Sequence, residues 1–451
     1  MNTQKLAQIL WVQSFTAQLR HELHPPQFFP NLMVGLTTGA VGVLFDLSFA
    51  ALIFSGSLSD HLSVGVGLVL FSVAATRVMT TLLSPLGVVT DLGTVPTAIL
   101  AWSAGAIAKD LSPTASSAEI LLTVLVAIAL TSLITGVCLL LLGMLKVGEW
   151  VRSIPHAVVG GFVASTGWLL VKGGFKVMTE KPLGIPQLGF LLQPDVVIQW
   201  LPGLVLALYL FVIAQRRSHP AILSISLFGA VGLFYIGLLC TGTSIAQASV
   251  QGWTMSAITS SDFWQPLSPA AIAQVHWSVL PKQLTCMATV VAVTAISLLL
   301  NLTGLELVTK QELDVNRELT IAGVLNVFLG LGGGILSYHS LSKSVLAHKM
   351  GAKSRVTTLV EAGIFIAFPV VAISLVAYVP KAVLGGLLLF LGLSLLIEWM
   401  YTAWFKLKKT DYVVVQAIVW VSATVGFLQG LIIGWLLAAA LLALSIVKRR
   451  Q

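Results

Sequence analysis

The chain has 451 residues, of which 57% are hydrophobic and only 9% are charged, with a formal net charge of +8 and a mean hydropathy of +0.96. Soluble globular domains carry roughly a quarter charged residues. This composition excludes a water-facing surface for most of the chain and predicts an integral membrane protein. The positive charge does not indicate nucleic-acid binding, because the basic residues lie in short clusters between long apolar runs.

A membrane-spanning helix needs roughly 20 apolar residues. About twelve runs along the chain meet that length or approach it. In chain order they are 31–56, 62–83, 120–145, 157–171, 196–214, 221–239, 284–302, 321–335, 358–378, 382–400, 412–428 and 431–447. Residues 1–29 lack the apolar core of a signal peptide, so we expect an uncleaved, cytoplasmic N-terminal segment.

Two shorter apolar runs, 96–108 and 341–350, are too short to cross alone. Each follows a polar, glycine-bearing stretch, 90–95 and 332–340. Interrupted helices in matching positions of two halves indicate the central site of a secondary transporter, although ordinary short helices or surface loops are the alternative. The total is then about fourteen segments, and the predicted fold is an all-α polytopic membrane protein.

Lysine and arginine are concentrated in alternate loops, which places both termini on the basic side of the membrane. Residues 146–152, 216–217, 406–409 and 448–450 carry much of this bias. Basic loops stay in the cytoplasm. We therefore expect cytoplasmic N- and C-termini in a plasma (inner) membrane.

Ionisable groups inside apolar runs are expensive and are usually functional or paired. Lys343 follows Ser340 and Ser342 at the start of the second short run, where helix N–H groups and the helix dipole favour an anion. Thr94 and Thr97 occupy the corresponding start of the first short run. Two such helix starts facing each other would form a small anion pocket. The alternative is that these hydroxyls only cap their own helices while Lys343 pairs with Asp46.

Asp46, within the first run, leaves the charge of the substrate open. Its carboxylate could neutralise Lys343, carry a coupling proton or bind a cationic solute. Arg77 is interpreted as a structural partner of Asp46 or Asp91. His339 is interpreted as a hydrogen-bonded loop residue outside the site.

Three polar residues, Asn301, Thr303 and Glu306, lie where the run 284–302 nears the cytoplasm and are included as candidates. Glu306 fits either the site or the solvated helix end. Cys138, Cys240 and Cys286 lie in apolar stretches without paired spacing, which predicts neither a disulfide nor a metal site. No nucleophile–base combination is evident, so we expect no enzyme, catalytic residue or cofactor.

The stretches 154–162, 314–319, 340–344 and 425–434 resemble those of the SulP (sulfate permease) family of anion transporters, and the resemblance extends from about 30 to 447. It implies an inverted repeat of seven plus seven helices, with a core bundle moving against a gate bundle, and a homodimer. It also implies that Ser342 contacts substrate. Lys343 stands where the family usually has arginine.

The sequence departs from the family in three places. Residues 45–48, which include Asp46 and Ser48, replace the usual proline–glutamine pair, and the third segment lacks the common glycine–proline. The STAS domain is expected to be absent, because the chain stops at Gln451. The expected organisation is one transmembrane domain over 30–451, with repeats at about 30–242 and 281–447.

The sequence therefore predicts a secondary transporter of a small inorganic anion, in the sulfate or bicarbonate class, working by alternating access in the lipid bilayer. Coupling to a proton, to sodium or to a counter-anion stays open. One alternative is a transporter of a cationic or zwitterionic solute, such as a basic amino acid, bound by Asp46. The other is an anion channel or a non-transporting membrane scaffold.

Overall fold

The fold is almost entirely helical. A computed structural model describes residues 25–84, 90–146, 156–181, 183–184, 187–216, 221–255, 268–309, 313–341, 344, 355–371, 373–425, 429–430, 432–434 and 436–437. Its longer helices, labelled in chain order, are α1 (Pro25–Ile53), α2 (Leu62–Leu83), α3 (Thr94–Leu111), α4 (Ser117–Met144), α5 (His156–Thr179), α6 (Pro194–Arg216), α7 (Ala221–Thr241), α8 (Leu284–Thr309), α9 (Val315–Leu331), α10 (Arg355–Val371), α11 (Lys381–Leu396) and α12 (Lys409–Thr424).

Shorter elements connect these helices. They are the short α-helices Leu188–Leu191, Ile245–Val250, Pro269–Ala273 and Ala403–Lys406, the 3₁₀ segments Gly56–His61, Leu280–Gln283 and Ile373–Tyr378, and the π-helical turn Ile397–Thr402. Two strands, β1 (Thr90–Leu92) and β2 (Ser337–His339), pair antiparallel. The predicted all-α fold class is confirmed, and these two short strands are an addition that the sequence did not indicate. Three residues are too few to show the alternating pattern by which a strand is recognised.

Eight helices in the described ranges are long and apolar enough to cross a membrane, judged by length and composition. The predicted count of about fourteen segments is not confirmed. The helices α9, α10 and α12 have 17, 17 and 16 residues, shorter than a full span. Most residues of the predicted runs 341–350 and 431–447 lie outside the described part of the chain.

The predicted run 321–335 ends as a helix earlier than expected. The helix α9 stops at Leu331, and the chain turns through Gly333, whose φ of +77° favours glycine. It then enters β2. The first short run also differs, because α3 extends over 18 residues, beyond the apolar stretch 96–108 that the sequence defined.

Packing divides the helices into two groups. The helices α4 and α9 pack together, and α10 packs against α1 and α2. In the other group α11 packs against α5 and α6, and α12 packs against α5. We call α1–α4, β1, β2 and α8–α10 the core bundle, and α5–α7, α11 and α12 the gate bundle, following the division that the resemblance implies.

Small residues let helices approach closely in both bundles. A β-carbon at Gly136 of α4 would lie 2.4 Å from the Val327 backbone nitrogen of α9. In the gate bundle, a β-carbon at Gly385 would lie 2.8 Å from the Gly174 carbonyl oxygen, and one at Gly161 would lie 2.7 Å from Ile418. The absence of a side chain at Gly161 and Gly385 therefore lets the gate helices pack closely.

Candidate functional site

The two strands cross inside the core bundle and present two faces. Thr90 pairs with His339, Asp91 with Tyr338 and Leu92 with Ser337, and all six residues are buried. Because directly opposed side chains of a β-ladder lie on the same face, Asp91 and Tyr338 share one face. The side chains of Thr90, Leu92, Ser337 and His339 lie on the opposite face. Each face of the ladder therefore carries different polar side chains.

The helix α3 starts directly after β1. Its N-cap residue, Gly93, has no side chain to cap the helix, so no side chain satisfies the first-turn N–H groups from that position. The Thr97 side chain is fully buried, and its hydroxyl has no hydrogen-bond partner among the described residues. Free N–H groups at a helix N-terminus attract anions. This helix start therefore offers unused hydrogen-bond donors inside the protein.

Tyr338 covers this helix start from the second strand. A β-carbon at Gly93 would lie 2.3 Å from the Cε1 atom of Tyr338, so only glycine lets the ring approach. Thr94, the first residue of α3, is half-buried. The interpretation that Thr94 or Thr97 caps α3 is not supported, because the cap residue is Gly93 and it receives no side-chain bond.

The second helix start follows β2. The Ser344 backbone nitrogen donates to the Ser340 carbonyl at 3.1 Å, which marks a helical turn. Ser342 and Lys343 lie outside the described residues, so their roles stay predictions. The strands run antiparallel, so the chain leaves β1 and β2 at opposite ends of the ladder, roughly 7 Å apart along the strand direction.

The helix α8 reaches the ladder through Asn301, whose Nδ2 donates to the His339 carbonyl at 2.7 Å. The Thr303 hydroxyl donates to the Leu299 carbonyl of its own helix. The Glu306 carboxylate accepts from the Leu313 backbone nitrogen at 3.2 Å. Glu306 therefore contacts the connection between α8 and α9, which the sequence had left open.

The helix α1 contributes Asp46 and Ser48. Asp46 is fully buried and is close enough to act electrostatically on the Arg77 guanidinium of α2. Gly42 lies one turn earlier on the same side of α1, and a β-carbon there would lie 3.5 Å from Arg77 Nη2. The Ser48 hydroxyl donates to the Leu44 carbonyl of its own helix. Asp46 is thus adjacent to a buried cation.

Arg77 connects three elements of the core bundle. Its Nη1 forms an ion pair with Glu361 of α10, and its Nη2 lies 4.0 Å from Asp91 of β1. The guanidinium carbon lies 4.9 Å from the centroid of the Phe365 ring, a cation–π contact. The predicted pairing with Asp91 is confirmed. Glu361 was not singled out from the sequence, although a carboxylate within the apolar run 358–378 is a signal that could have found it.

The opposite face of the ladder carries a second buried ionic contact. His339 Nε2 lies 3.0 Å from Glu318 Oε2, and the two side chains are 1% and 2% exposed. The interpretation of His339 as a hydrogen-bonded loop residue is therefore corrected: it lies in a strand and contacts a carboxylate. Glu318 lies within the stretch 314–319 that carried the resemblance, and Asp314 of the same stretch caps α9.

A model of the sulfate permease family matches residues 28–418, most of the chain. The chain belongs to the sulfate permease family. It is 25% identical over 327 residues to the vacuolar basic amino acid transporter VSB1 of Saccharomyces cerevisiae, covering 71% of this chain and 32% of the yeast protein. It is 25% identical over 405 residues to the bicarbonate transporter BicA of Picosynechococcus, covering 85% of this chain and 64% of that protein.

Solved structures show the same fold. The transmembrane domain of a cyanobacterial bicarbonate transporter BicA has a TM-score of 0.68 at 17% identity, covering 91% of this chain and 98% of that chain. The inward-facing structure of the murine anion transporter Slc26a9 has a TM-score of 0.74 at 17% identity, covering 96% of this chain and 71% of that chain. This member of the sulfate permease family spans less than two thirds of the length of the two curated relatives described above.

Proposed function

We propose that this family member is a secondary transporter of a small inorganic anion, in the sulfate or bicarbonate class. The observation that carries this proposal is the start of α3. There, N–H groups without a side-chain cap lie next to a buried Thr97 hydroxyl that has no partner among the described residues. A buried donor without an acceptor is unfavourable. An anion bound at this position would satisfy it.

The names of two relatives favour the same substrate class. The cyanobacterial relative is a bicarbonate transporter, and a Mycobacterium tuberculosis protein, 28% identical over 139 residues, is a probable sulfate transporter. Ser340, Ser342 and Lys343 would add hydroxyls and one positive charge at the second helix start. Movement of the core bundle against the gate bundle would expose this site alternately to each side of the membrane.

The placement in the cell is part of the proposal. The protein would lie in the plasma (inner) membrane with cytoplasmic termini, following the distribution of basic residues. The family resemblance adds that it would be a homodimer. Residues 30–242 and 281–447 would form the two halves of the inverted repeat. The strands fit this symmetry, because each follows the second helix of its half in chain order.

A second candidate is transport of a basic amino acid. A buried carboxylate near the site favours a cation. Asp46 is such a group, and VSB1 is named as a transporter of basic amino acids. In this case Asp46 would bind the cationic side chain, and the start of α3 would bind the substrate carboxylate.

The test is uptake of radiolabelled sulfate, bicarbonate and arginine into proteoliposomes that contain the purified protein. Thr97→Val should reduce saturable anion uptake about tenfold, the effect expected for loss of one hydrogen bond to a charged ligand. The matched control is Thr135→Val, since Thr135 of α4 is equally buried but its hydroxyl donates to the Thr131 carbonyl of its own helix. That variant should transport like the unaltered protein.

The outcomes separate the candidates. Saturable anion uptake that falls in Thr97→Val but not in Thr135→Val supports the anion transporter. Uptake of arginine alone, abolished by Asp46→Asn, overturns the anion proposal in favour of the cationic substrate. Electrical currents through the protein without saturable exchange contradict both and indicate a channel.

A further inference from the structure

The face of the ladder opposite Arg77 contains two titratable groups in contact. His339 Nε2 and Glu318 Oε2 are 3.0 Å apart, within hydrogen-bond distance, and both side chains are almost completely shielded from solvent. Histidine is the side chain whose charge changes most readily between about pH 5 and 8. A buried imidazole against a carboxylate is therefore a place where a proton can be taken up and released.

The surroundings of the pair are polar and come from several elements. At the end of α2, the Ser84 hydroxyl donates to both Glu318 oxygens, at 3.1 and 3.2 Å. From α10, Arg355 Nη2 lies 3.5 Å from the Ser84 carbonyl and is the nearest cation among these contacts. From β1, Thr90 is directly opposite His339.

The remaining charged groups belong to the other face or to the surface. Asp91 pairs across the ladder with Tyr338 and lies by Arg77, on the face that His339 does not share. From α8, Asn301 contacts the His339 main chain, whereas Glu306 contacts the α8–α9 connection. On α9, Arg317 is exposed.

Proton occupancy changes the net charge of this pair. With Glu318 ionised and His339 neutral, the pair carries one negative charge, and a proton on the imidazole makes it neutral overall. Inside the protein a charge is screened much less than in water. The negative charge would therefore repel an anion held nearby, and protonation would remove that repulsion.

The pair is connected directly to the second helix start. The His339 carbonyl accepts from Asn301 of α8, and the next residue, Ser340, begins the helical turn. A change in the contact between His339 and Glu318 therefore acts on the strand from which that helix starts.

We propose that His339 and Glu318 form a proton-binding site whose occupancy raises anion affinity at the neighbouring helix starts. The effect on anions rests on the proposed function. Because linkage is reciprocal, anion binding favours proton uptake at the pair. The pair acts as a positioning element for the second helix start.

The experiment compares the unaltered protein with His339→Gln and Glu318→Gln in two measurements. The first is the initial rate of radiolabelled sulfate uptake from about pH 8 to about pH 5. Bicarbonate uptake is measured at about pH 8 alone, because acid converts bicarbonate to CO2, which crosses the bilayer without a transporter. The second is the thermal unfolding temperature of the detergent-solubilised protein over the same range, which needs no substrate. Glutamine is close in size to each side chain, stays polar and does not titrate, so both variants are expected to fold, as size-exclusion chromatography would show.

The matched control is His276→Gln. His276 Nε2 lies 3.9 Å from Glu119 Oε2, and these side chains are 34% and 38% exposed. This is also a histidine–glutamate contact, but one that solvent reaches. This variant should keep the pH profile of the unaltered protein in both measurements.

In the unaltered protein, uptake should rise as the pH falls, by up to about tenfold per pH unit for one bound proton. His339→Gln and Glu318→Gln should flatten both the uptake profile and the pH dependence of the unfolding temperature. The proposal is overturned if His339→Gln retains both profiles. Failure of every anion to enter would overturn the proposed function instead, and the unfolding measurement would still decide whether the pair binds a proton.

Discussion

The two bundles bury different kinds of side chains. In the core bundle, the buried acidic and basic side chains among the described residues are Asp46, Arg77, Asp91, Glu318, His339, Arg355 and Glu361. In the described part of the gate bundle, the buried polar residues are serines and threonines, at Ser165, Thr166, Thr179, Ser224 and Ser226. Ionic contacts hold the core bundle around the strand ladder, whereas the gate bundle relies on apolar packing.

Close backbone contact replaces charge in the gate bundle. A β-carbon at Gly392 would lie 2.7 Å from the Gly167 carbonyl oxygen, and one at Gly386 would lie 2.8 Å from that of Gly203. The helix α7 is mostly exposed, since only 11% of the residues in its most apolar stretch are buried inside the described protein. The comparison teaches that buried charges are concentrated in the core bundle, whereas close apolar packing holds the gate bundle together.

The largest expected effect comes from breaking the Arg77–Glu361 ion pair. Arg77→Met leaves Glu361 and Asp91 without their buried cation, so the variant should lose about 3 to 5 kcal/mol of unfolding free energy. Denaturant unfolding in detergent micelles measures this change. A loss below about 1 kcal/mol would show that the core bundle does not depend on this cation.

The next effect concerns the hydrogen bonds that hold β2. Asn326 of α9 donates to the Ser337 carbonyl and accepts from its nitrogen, both at 2.8 Å. Asn326→Leu leaves two buried backbone groups unpaired and should cost about 2 to 4 kcal/mol. Anion uptake should fall further than stability alone explains, because β2 positions the second helix start. Unfolding and uptake measured on the same preparation would test this, and unchanged uptake at reduced stability would contradict it.

The gate bundle should respond to volume rather than to charge. Gly385→Val places a side chain against the Gly174 carbonyl and Met178, so it should destabilise by about 1 to 3 kcal/mol. Gly232→Ala on α7 is the control, because nothing lies within 4 Å of its β-carbon position. Equal unfolding temperatures for the two variants would contradict the close approach of α5 and α11.

The smallest effect is expected at an exposed ion pair of the gate bundle. Lys381 Nζ lies 3.4 Å from Glu180, whose side chain is 65% exposed. Glu180→Gln should change the unfolding free energy by less than about 1 kcal/mol, since water screens this pair. Denaturant unfolding in detergent micelles measures this change. A loss of unfolding free energy as large as that of Arg77→Met would contradict the view that only the core bundle depends on ionic contacts.

The sequence by itself determined the membrane class, most helix positions and the two helix starts, because long apolar runs and glycine-bearing interruptions are local patterns. It also determined that Arg77 needs a carboxylate partner. The tertiary structure decided which carboxylates serve, because Glu361 is 284 positions away in the chain and only packing of α10 on α2 brings it to Arg77. It likewise decided the strand ladder and the contact of His339 with Glu318, since neither a three-residue strand nor a contact between distant polar residues leaves a periodic signal in the sequence.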